Sequence, residues 1–242
     1  MSDKELKNRS SRTEIDAFLQ KVKAIPRPRQ TGKQGRVLVA IDATASREPT
    51  WDHASHIQGQ MFSATEAMGG IEIKLCYYRG FDEFHHSSWH NSARTLQQDM
   101  SAVRCLAGHT QIARVLQQAN REPHLNAVVF IGDAMEEDIN ELRRLAGQLG
   151  LHGIPVFVFH EGHDAIARNA FQEIARLSHG ACVPFDLNSA DQLRGLLGAV
   201  AVFACGGYSA LQNYVNNLDH KLGQDSRYLL EQLTPAGNHK KR

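Results

Sequence analysis

The stretch from Val37 to Ser46, VLVAIDATAS, decides the fold predicted from this sequence. Val37 to Ile41 is a continuous apolar run, which is typical of a strand buried on both faces of a parallel sheet. Polar side chains follow at once, beginning with Asp42. We therefore expect a central strand that delivers oxygen-bearing side chains to its carboxyl end.

Strands and helices alternate along most of the chain. Further apolar strands are predicted at Ile71 to Tyr78, Asn126 to Ile131, Pro155 to Phe159 and Ala181 to Phe185, and Phe84 to His90 is predicted as a short edge strand. The spacing of apolar residues predicts helices at Trp51 to Met68, Ala93 to Val103, Gln111 to Asn120, Asp138 to Leu149, Ala165 to Leu177, Ala190 to Ala204 and Tyr208 to Leu233. This alternation predicts an α/β fold with a doubly wound, mainly parallel sheet that is covered by helices on both sides.

Charge and composition divide the chain into three parts. Residues 1–36 carry ten Lys and Arg against four Asp and Glu, and the remainder carries seventeen against twenty-two. Residues 1–35 are predicted to form a basic N-terminal helix and a linker rich in Pro and Gly. Residues 36–205 are the α/β domain, and residues 206–242 are a C-terminal helix and a basic tail.

The cysteines and the apolar segments indicate the cellular compartment in which the protein is expected. Cys76, Cys105, Cys182 and Cys205 lie far apart and form no CxxC pair, so we expect reduced thiols and a cytoplasmic protein. The N-terminus has no apolar stretch typical of a signal peptide. The longest apolar segment, Leu196 to Ala204, is too short to cross a bilayer, so no membrane partner is expected.

Oxygen-bearing side chains follow two buried strands and precede one helix. Asp42, Thr44 and Ser46 follow the first strand, Thr110 precedes the helix that begins near Gln111, and Asp133 follows the strand that ends at Ile131. In a doubly wound sheet, ligands bind at the carboxyl ends of the strands where the strand order reverses. A donor set of carboxylates and hydroxyls suits Mg²⁺, Mn²⁺ or Ca²⁺. The sequence therefore predicts a metal site at this edge.

The same residues resemble a known family. Asp-x-Thr-x-Ser after a first buried strand, a Gly-x-Thr loop and an Asp after a later strand are similar to the metal-ion-dependent adhesion site (MIDAS) of von Willebrand factor A (VWA) domains, here of the intracellular, bacterial type. The resemblance covers about residues 35–205. It implies a parallel sheet with one short antiparallel edge strand, at Phe84 to His90. It also implies that Thr44, Ser46 and Thr110 bind Mg²⁺ through their hydroxyls, and that Asp42 and Asp133 bind it directly or through water. One coordination position would stay open for an Asp or Glu of a protein partner.

Neighbouring side chains are predicted to form the rim that a partner contacts. They share a position beside the predicted ligands or at the end of the next strand: Arg47, Trp51, His109, Glu136, His160 and Glu161. The acidic run Glu136 to Asp138 is also expected to favour the start of the helix that follows it. The function predicted from these residues is a metal-dependent protein-binding adaptor.

Parts of the sequence are also compatible with two other functions. Asp42 after a first parallel strand could act in a metal-dependent phosphoryl hydrolase, but Thr44 stands where the second Asp of such phosphatases is needed. No phosphate-binding loop, nucleophile elbow or dinucleotide fingerprint is present in the sequence, so an enzyme is not expected. The basic N-terminal arm could attract nucleic acid, but its only aromatic residue, Phe18, offers no stacking platform, so that partner is not favoured.

Overall fold

The apolar runs of the sequence become the strands of one sheet. A computed structural model describes residues 34–45, 48, 51, 62, 70–185 and 190–222. Its strands are β1 (Gly35–Asp42), β2 (Ile71–Arg79), β3 (Glu83–His90), β4 (Ala127–Gly132), β5 (Val156–Glu161) and β6 (Ala181–Phe185), and their order across the sheet is β3-β2-β1-β4-β5-β6. All neighbouring pairs are parallel except β2 and β3. The predicted fold, a mainly parallel α/β sheet with one antiparallel edge strand, is confirmed.

Within the described residues, five helices connect and cover these strands. They are α1 (Ala93–Ser101), α2 (Ile112–Arg121), α3 (Ile139–Leu151), α4 (Ala165–Leu177) and α5 (Ala190–Leu222). The bounds of α4 agree with the sequence prediction, and α1 ends two residues earlier than predicted. Of the helix predicted from Trp51 to Met68, only Trp51 and Phe62 are described, and both are helical. The helix and linker predicted in residues 1–33 lie outside the described residues.

The last described residues agree with the prediction of two helices, which meet at a kink. α5 runs from Ala190 to Leu222 with one non-helical residue inside it, Gly207, whose φ is 67° and ψ is −161°. A positive φ costs glycine little because it has no Cβ. The two helical segments of α5 therefore meet at a kink at this residue. The predicted gap near residues 205–207 is therefore a kink. Residues 223–233 of the second predicted helix lie outside the described residues.

The strands alternate their side chains between two apolar cores. On one face Val37, Val39 and Ile41 of β1 pack in a core that also contains buried residues of α1 and α5. On the other face Leu38 and Ala40 pack in a core with buried residues of α2, α3 and α4. Period-two alternation in a strand covered on both sides explains why the run is apolar throughout. The carboxyl end of β1 is thereby held rigidly between two layers of helices.

All four cysteines are free thiols, as the sequence predicts. Among the described residues, no helix has the length and apolar character needed to cross a membrane.

Candidate metal centre

The strand order reverses between β1 and β4. The chain passes from β1 to β2 and β3 on one side, and returns to place β4 on the other side of β1. Ile41 of β1 pairs with Ile131 of β4 in parallel register. Asp42, the last residue of β1, and Asp133, the first residue after β4, therefore leave the sheet at the same edge and from neighbouring strands. This edge is the position at which doubly wound sheets bind ligands.

The carboxylate of Asp42 is buried and accepts two hydrogen bonds. Only 1% of the residue is exposed. Oδ1 accepts from the backbone N–H of Thr44 at 2.7 Å, and Oδ2 accepts from the hydroxyl of Tyr78 at 3.2 Å. Tyr78 lies opposite Asp42 in the β1–β2 register, which is why its ring reaches this carboxylate. The loop after β1 is thus folded around the Asp42 side chain.

Tyr78 shows that several carboxylates converge here. Burial raises the pKa of the Tyr78 hydroxyl well above its usual value, and the negative charges of Asp42, Glu137 and Asp133 raise that pKa further. Each of these charges opposes ionisation of the same buried hydroxyl, so the three carboxylates lie within electrostatic reach of it. Asp42 and Asp133, predicted as ligands from separate parts of the sequence, therefore both act on the same hydroxyl.

Thr110 is fixed by Glu136 from the loop after β4. The backbone N–H of Thr110 donates to Oε2 of Glu136 at 3.2 Å, and the backbone N–H of Glu136 donates to the hydroxyl of Thr110 at 3.1 Å. Thr110 is 6% exposed. The hydroxyl predicted as a metal ligand is thus oriented by residues 133–138, the loop that also carries Asp133. Nδ1 of His109 lies 3.4 Å from the same Glu136 carboxylate.

Glu137 caps the helix that follows Thr110. Its two carboxylate oxygens accept from the backbone N–H groups of Ile112 and Ala113, the second at 2.9 Å, while Gln111 at the N-cap makes no side-chain cap of its own. A carboxylate there satisfies free N–H groups and complements the helix dipole. The expectation that the acidic run serves the following helix holds for Asp138, which accepts from Asn140 N–H at 2.9 Å. It is wrong for Glu136 and Glu137, which bind the loop and helix before β4.

Backbone contacts join the remaining loops. Leu106 N–H donates to the Ala43 carbonyl at 3.0 Å, Gly80 N–H to the Leu106 carbonyl at 3.3 Å, and His109 N–H to the Gly80 carbonyl at 3.2 Å. Gly108 lies so close to Gly80 that a Cβ on Gly108 would lie 1.7 Å from the Gly80 carbonyl oxygen. Glycine is therefore required at residue 108, and residues 80 to 82 and 104 to 110 form one unit beside Asp42 and Thr44.

Two residues predicted for the partner rim are buried. Trp51 is 3% exposed, its indole N–H donates to the Met100 carbonyl at 2.9 Å, and its ring meets Tyr77 edge-on. His160 is 1% exposed and its ring lies against Phe171, 5.2 Å between centroids. The prediction that Trp51 and His160 belong to an exposed rim is wrong, because both side chains turn into the core.

His160 instead packs under the loop that carries Asp133, at the carboxyl ends of the strands. Its side chain hydrogen-bonds to the backbone of Asp133, while its Nε2 has no hydrogen-bond partner within the part of the chain that the structure describes. Burial lowers the pKa of His160, and the positive charge of Arg168 lowers it further. A neutral imidazole thus lies under the loop that carries Asp133.

The other residues predicted for the site differ in their exposure to solvent. His109 and Glu136 have side chains 64% and 53% exposed and lie at the surface beside Thr110. Thr44 and Glu161 are half-buried at the ends of β1 and β5. Ser46 and Arg47 lie outside the described residues.

The donor set fits a hard divalent cation. Carboxylates of Asp42 and Asp133 and the hydroxyl of Thr110 are oxygen ligands, which Mg²⁺, Mn²⁺ and Ca²⁺ prefer. A cation would also offset the charges that raise the pKa of Tyr78. Among the described residues, no three His, Cys, Asp or Glu side chains form a metal-binding group, and the predicted set needs only two of these carboxylates together with hydroxyls.

This architecture is the VWA fold, a class identified by comparison with solved structures. The chain superposes on a von Willebrand factor type A protein from Catenulispora acidiphila with a TM-score of 0.54 and 14% identity, over 70% of this chain and 43% of that one. The VWA domain of SpRpn10 gives a TM-score of 0.53 and 14% identity, over 72% of this chain and 98% of that domain.

A third similar structure contains a metal in a MIDAS motif of its own. Proximal thread matrix protein 1 from the mussel byssus, with a zinc-occupied MIDAS motif, gives a TM-score of 0.54 and 11% identity, over 69% of this chain and 46% of that one. The chain spans less than half the length of the Catenulispora and mussel proteins. At these identities the likeness establishes the fold. No protein-family model matches the sequence, and no curated protein matches it.

Proposed function

We propose that this protein is a metal-dependent adaptor that binds an acidic side chain of a protein partner at a MIDAS-like site. Asp42, Thr44, Ser46, Thr110 and Asp133 would hold Mg²⁺, with Mn²⁺ or Ca²⁺ as substitutes. The observation that carries the proposal is the placement of Asp42 and Asp133 at the carboxyl ends of adjacent parallel strands, both acting on the Tyr78 hydroxyl. The zinc in the MIDAS of the mussel protein belongs to that protein and supports the choice of site.

The chain's own residues prepare the site. Tyr78 and the Thr44 N–H orient the Asp42 carboxylate, Glu136 orients the Thr110 hydroxyl, and His160 supports the Asp133 backbone. When bound, the metal supplies positive charge and an open coordination position. A carboxylate of the partner matches both, and most strongly where the interface excludes water.

Binding explains these contacts better than catalysis. The Asp42 carboxylate is 1% exposed and already accepts two hydrogen bonds, which disfavours its use as a nucleophile on a phosphate ester. We therefore propose a cytoplasmic binding protein that is not an enzyme.

Two substitutions on one loop test the proposal. Isothermal titration with Mg²⁺ is expected to give one site in wild type, none in Asp133→Asn, and one in the matched control Asp138→Asn, because Asp138 caps α3. Partners recovered from native extract should remain bound in Mg²⁺ and be released by chelator. The proposal fails if Mg²⁺ and Mn²⁺ do not bind, or if Asp133→Asn binds them as wild type does.

A further inference from the structure

Two exposed apolar side chains lie beside the candidate metal centre. Four large hydrophobic residues are exposed among the described residues: Phe81, Leu106, Leu151 and Ile166. Phe81 is 79% exposed at the turn after β2, and Leu106 is 43% exposed on the loop before Thr110. The backbones of these two loops are hydrogen-bonded to each other through Gly80 and Leu106. Exposed apolar side chains that lie on neighbouring loops, and not singly, can mark an interaction site.

His109 joins these residues into one surface. Its ring meets the ring of Phe81 edge-on, with 5.3 Å between centroids and 68° between planes, and 64% of its side chain is exposed. We call Phe81, Leu106 and His109 the apolar patch. Its position is set by main-chain contacts, since Gly108 lies against Gly80 and leaves no space for a Cβ. The patch is thus presented in a fixed geometry, which lowers the entropic cost of binding.

The patch adjoins the residues that would hold the metal. Leu106 N–H donates to the carbonyl of Ala43, the residue between Asp42 and Thr44. His109 directly precedes Thr110, so their Cα atoms lie about 3.8 Å apart. His109 also contacts the ring of Phe81, so the patch begins at the residue next to Thr110, and a partner segment of about three residues, roughly 10 Å when extended, is the length that suits this placement. One short segment of a partner can therefore contact both.

Two ion pairs lie beside the patch. Arg114 lies 2.8 Å from Asp82, and Arg79 lies 2.8 Å from Glu83. An apolar centre surrounded by polar groups is the usual anatomy of a protein interface.

From this placement we infer that the apolar patch selects the partner: it receives a large apolar side chain located one to three residues from the acidic side chain that the metal holds. The inference rests on the proposed function and names the partner segment more closely, as an exposed stretch of protein in which Asp or Glu stands near Leu, Ile, Met or Phe. The acidic residue supplies the metal-dependent part of the affinity, and the apolar residue supplies specificity.

A displayed library of random peptides tests this on the full-length protein in Mg²⁺. Wild type is expected to enrich peptides with an acidic residue and a large apolar residue within three positions of it. Phe81→Ser is expected to keep the acidic preference and lose the apolar one. The matched control is Leu151→Ser, which removes another exposed apolar side chain, 89% exposed at the end of α3 on the opposite edge of the sheet. It should select the same peptides as wild type.

An enriched peptide is then synthesised and its Kd measured by fluorescence polarisation. Phe81→Ser is expected to weaken binding roughly tenfold or more, as for loss of one aromatic hot spot, with Leu151→Ser unchanged. Enrichment of acidic residues alone would overturn the inference and leave the proposed function standing. Chelator-insensitive enrichment of apolar peptides that Phe81→Ser abolishes would keep the patch as a binding surface and overturn its link to the metal. No enrichment with any protein would count against both proposals.

A second copy of the chain is the other possible occupant of the patch. Size-exclusion chromatography with light scattering distinguishes it. The inference expects the same mass for wild type, Phe81→Ser and Leu151→Ser. A dimer that Phe81→Ser dissociates and Leu151→Ser retains would assign the patch to self-association and overturn the partner assignment.

Discussion

Thr110 and Glu136 hold each other by two reciprocal hydrogen bonds, each from the backbone N–H of one residue to the side chain of the other, at 3.2 and 3.1 Å. The two residues are far apart in sequence and lie on loops that enter the candidate metal centre from different sides. Glu137, next to Glu136, binds the amino end of α2 with both carboxylate oxygens. The loop with Asp133 and the loop with Thr110 therefore behave as one rigid unit.

Asp42→Asn is expected to abolish stabilisation by Mg²⁺. In chelator the variant should melt at or above the wild-type temperature, because a buried charge near Glu137 and Asp133 is removed while Asn can keep hydrogen bonds to Thr44 and Tyr78. Mg²⁺ at a hundred times its Kd should stabilise wild type by about 2.7 kcal/mol and leave the variant unchanged. Differential scanning calorimetry measures both. Equal shifts in the two proteins would contradict a metal site at Asp42.

Glu137→Ala is expected to destabilise the fold by about 1 kcal/mol, since it removes the only side-chain cap seen at the start of α2 among the described residues. Urea unfolding followed by circular dichroism measures this. Glu141→Ala is the control, because Glu141 lies in the first turn of α3 and pairs with the exposed Arg144 without capping α2, so the urea midpoint should fall by less. Similar losses of stability in both variants would show that the loss in Glu137→Ala does not come from the missing cap of α2.

Gly108→Ala and Gly147→Ala are expected to change stability in opposite directions. A Cβ on Gly108 would meet the Gly80 carbonyl oxygen at 1.7 Å, so the two loops must separate, at a cost of about 1–3 kcal/mol. Gly147 lies within α3 with nothing within 4 Å of a new Cβ, so alanine there should add about 0.5–1 kcal/mol. Thermal unfolding compares the pair. A neutral Gly108→Ala would mean that the loops are not held together as described.

Stability is expected to fall with acid through His160. Burial lowers the pKa of His160 in the folded protein below its usual 6.5, so the unfolded chain takes up a proton first as the pH falls through that value. The contribution of His160 to the free energy of unfolding is therefore complete above about pH 7.5, and it is lost as the pH falls below 6.5. Urea unfolding across this range should show a flatter pH dependence for His160→Leu than for wild type. Its overall stability should be lower, because the bond to the Asp133 backbone is lost. Parallel curves for the two proteins would refute this role.

The fold could be predicted from the sequence because it depends on patterns that are local. Val37 to Ile41 is apolar at every position since both faces of β1 are covered, and β4 shows the same pattern. Phe84 to His90 lies within the edge strand β3, whose mixture of exposed and half-buried residues gives a weaker signal. The placement of Asp42 and Asp133 at one edge followed from strand order alone, which is why the sequence could bring them together.

The surroundings of the site could not be predicted, because they depend on contacts between distant residues. Glu137 caps α2 although α3 is nearer in sequence, and only the folded loop shows which helix it reaches. Trp51 and His160 were predicted at the surface from their place beside polar residues, yet each turns inward, to Tyr77 and Phe171 respectively. The apolar patch was missed because Phe81 and Leu106 are separated in sequence. The glycines at 80 and 108 were the signal that could have indicated a close approach of two loops.

The contact of Gly108 with Gly80 makes this part of the molecule suitable for redesign. Since main-chain hydrogen bonds join the two loops, the side chains at 81, 106 and 109 can be exchanged without removing those bonds. Randomising these three positions, with both glycines and Asp42 kept, would produce a family of binders that share one metal anchor and differ in the neighbouring residue they select. In such binders the metal site would supply the shared affinity, and the three exchanged side chains would determine which target is bound.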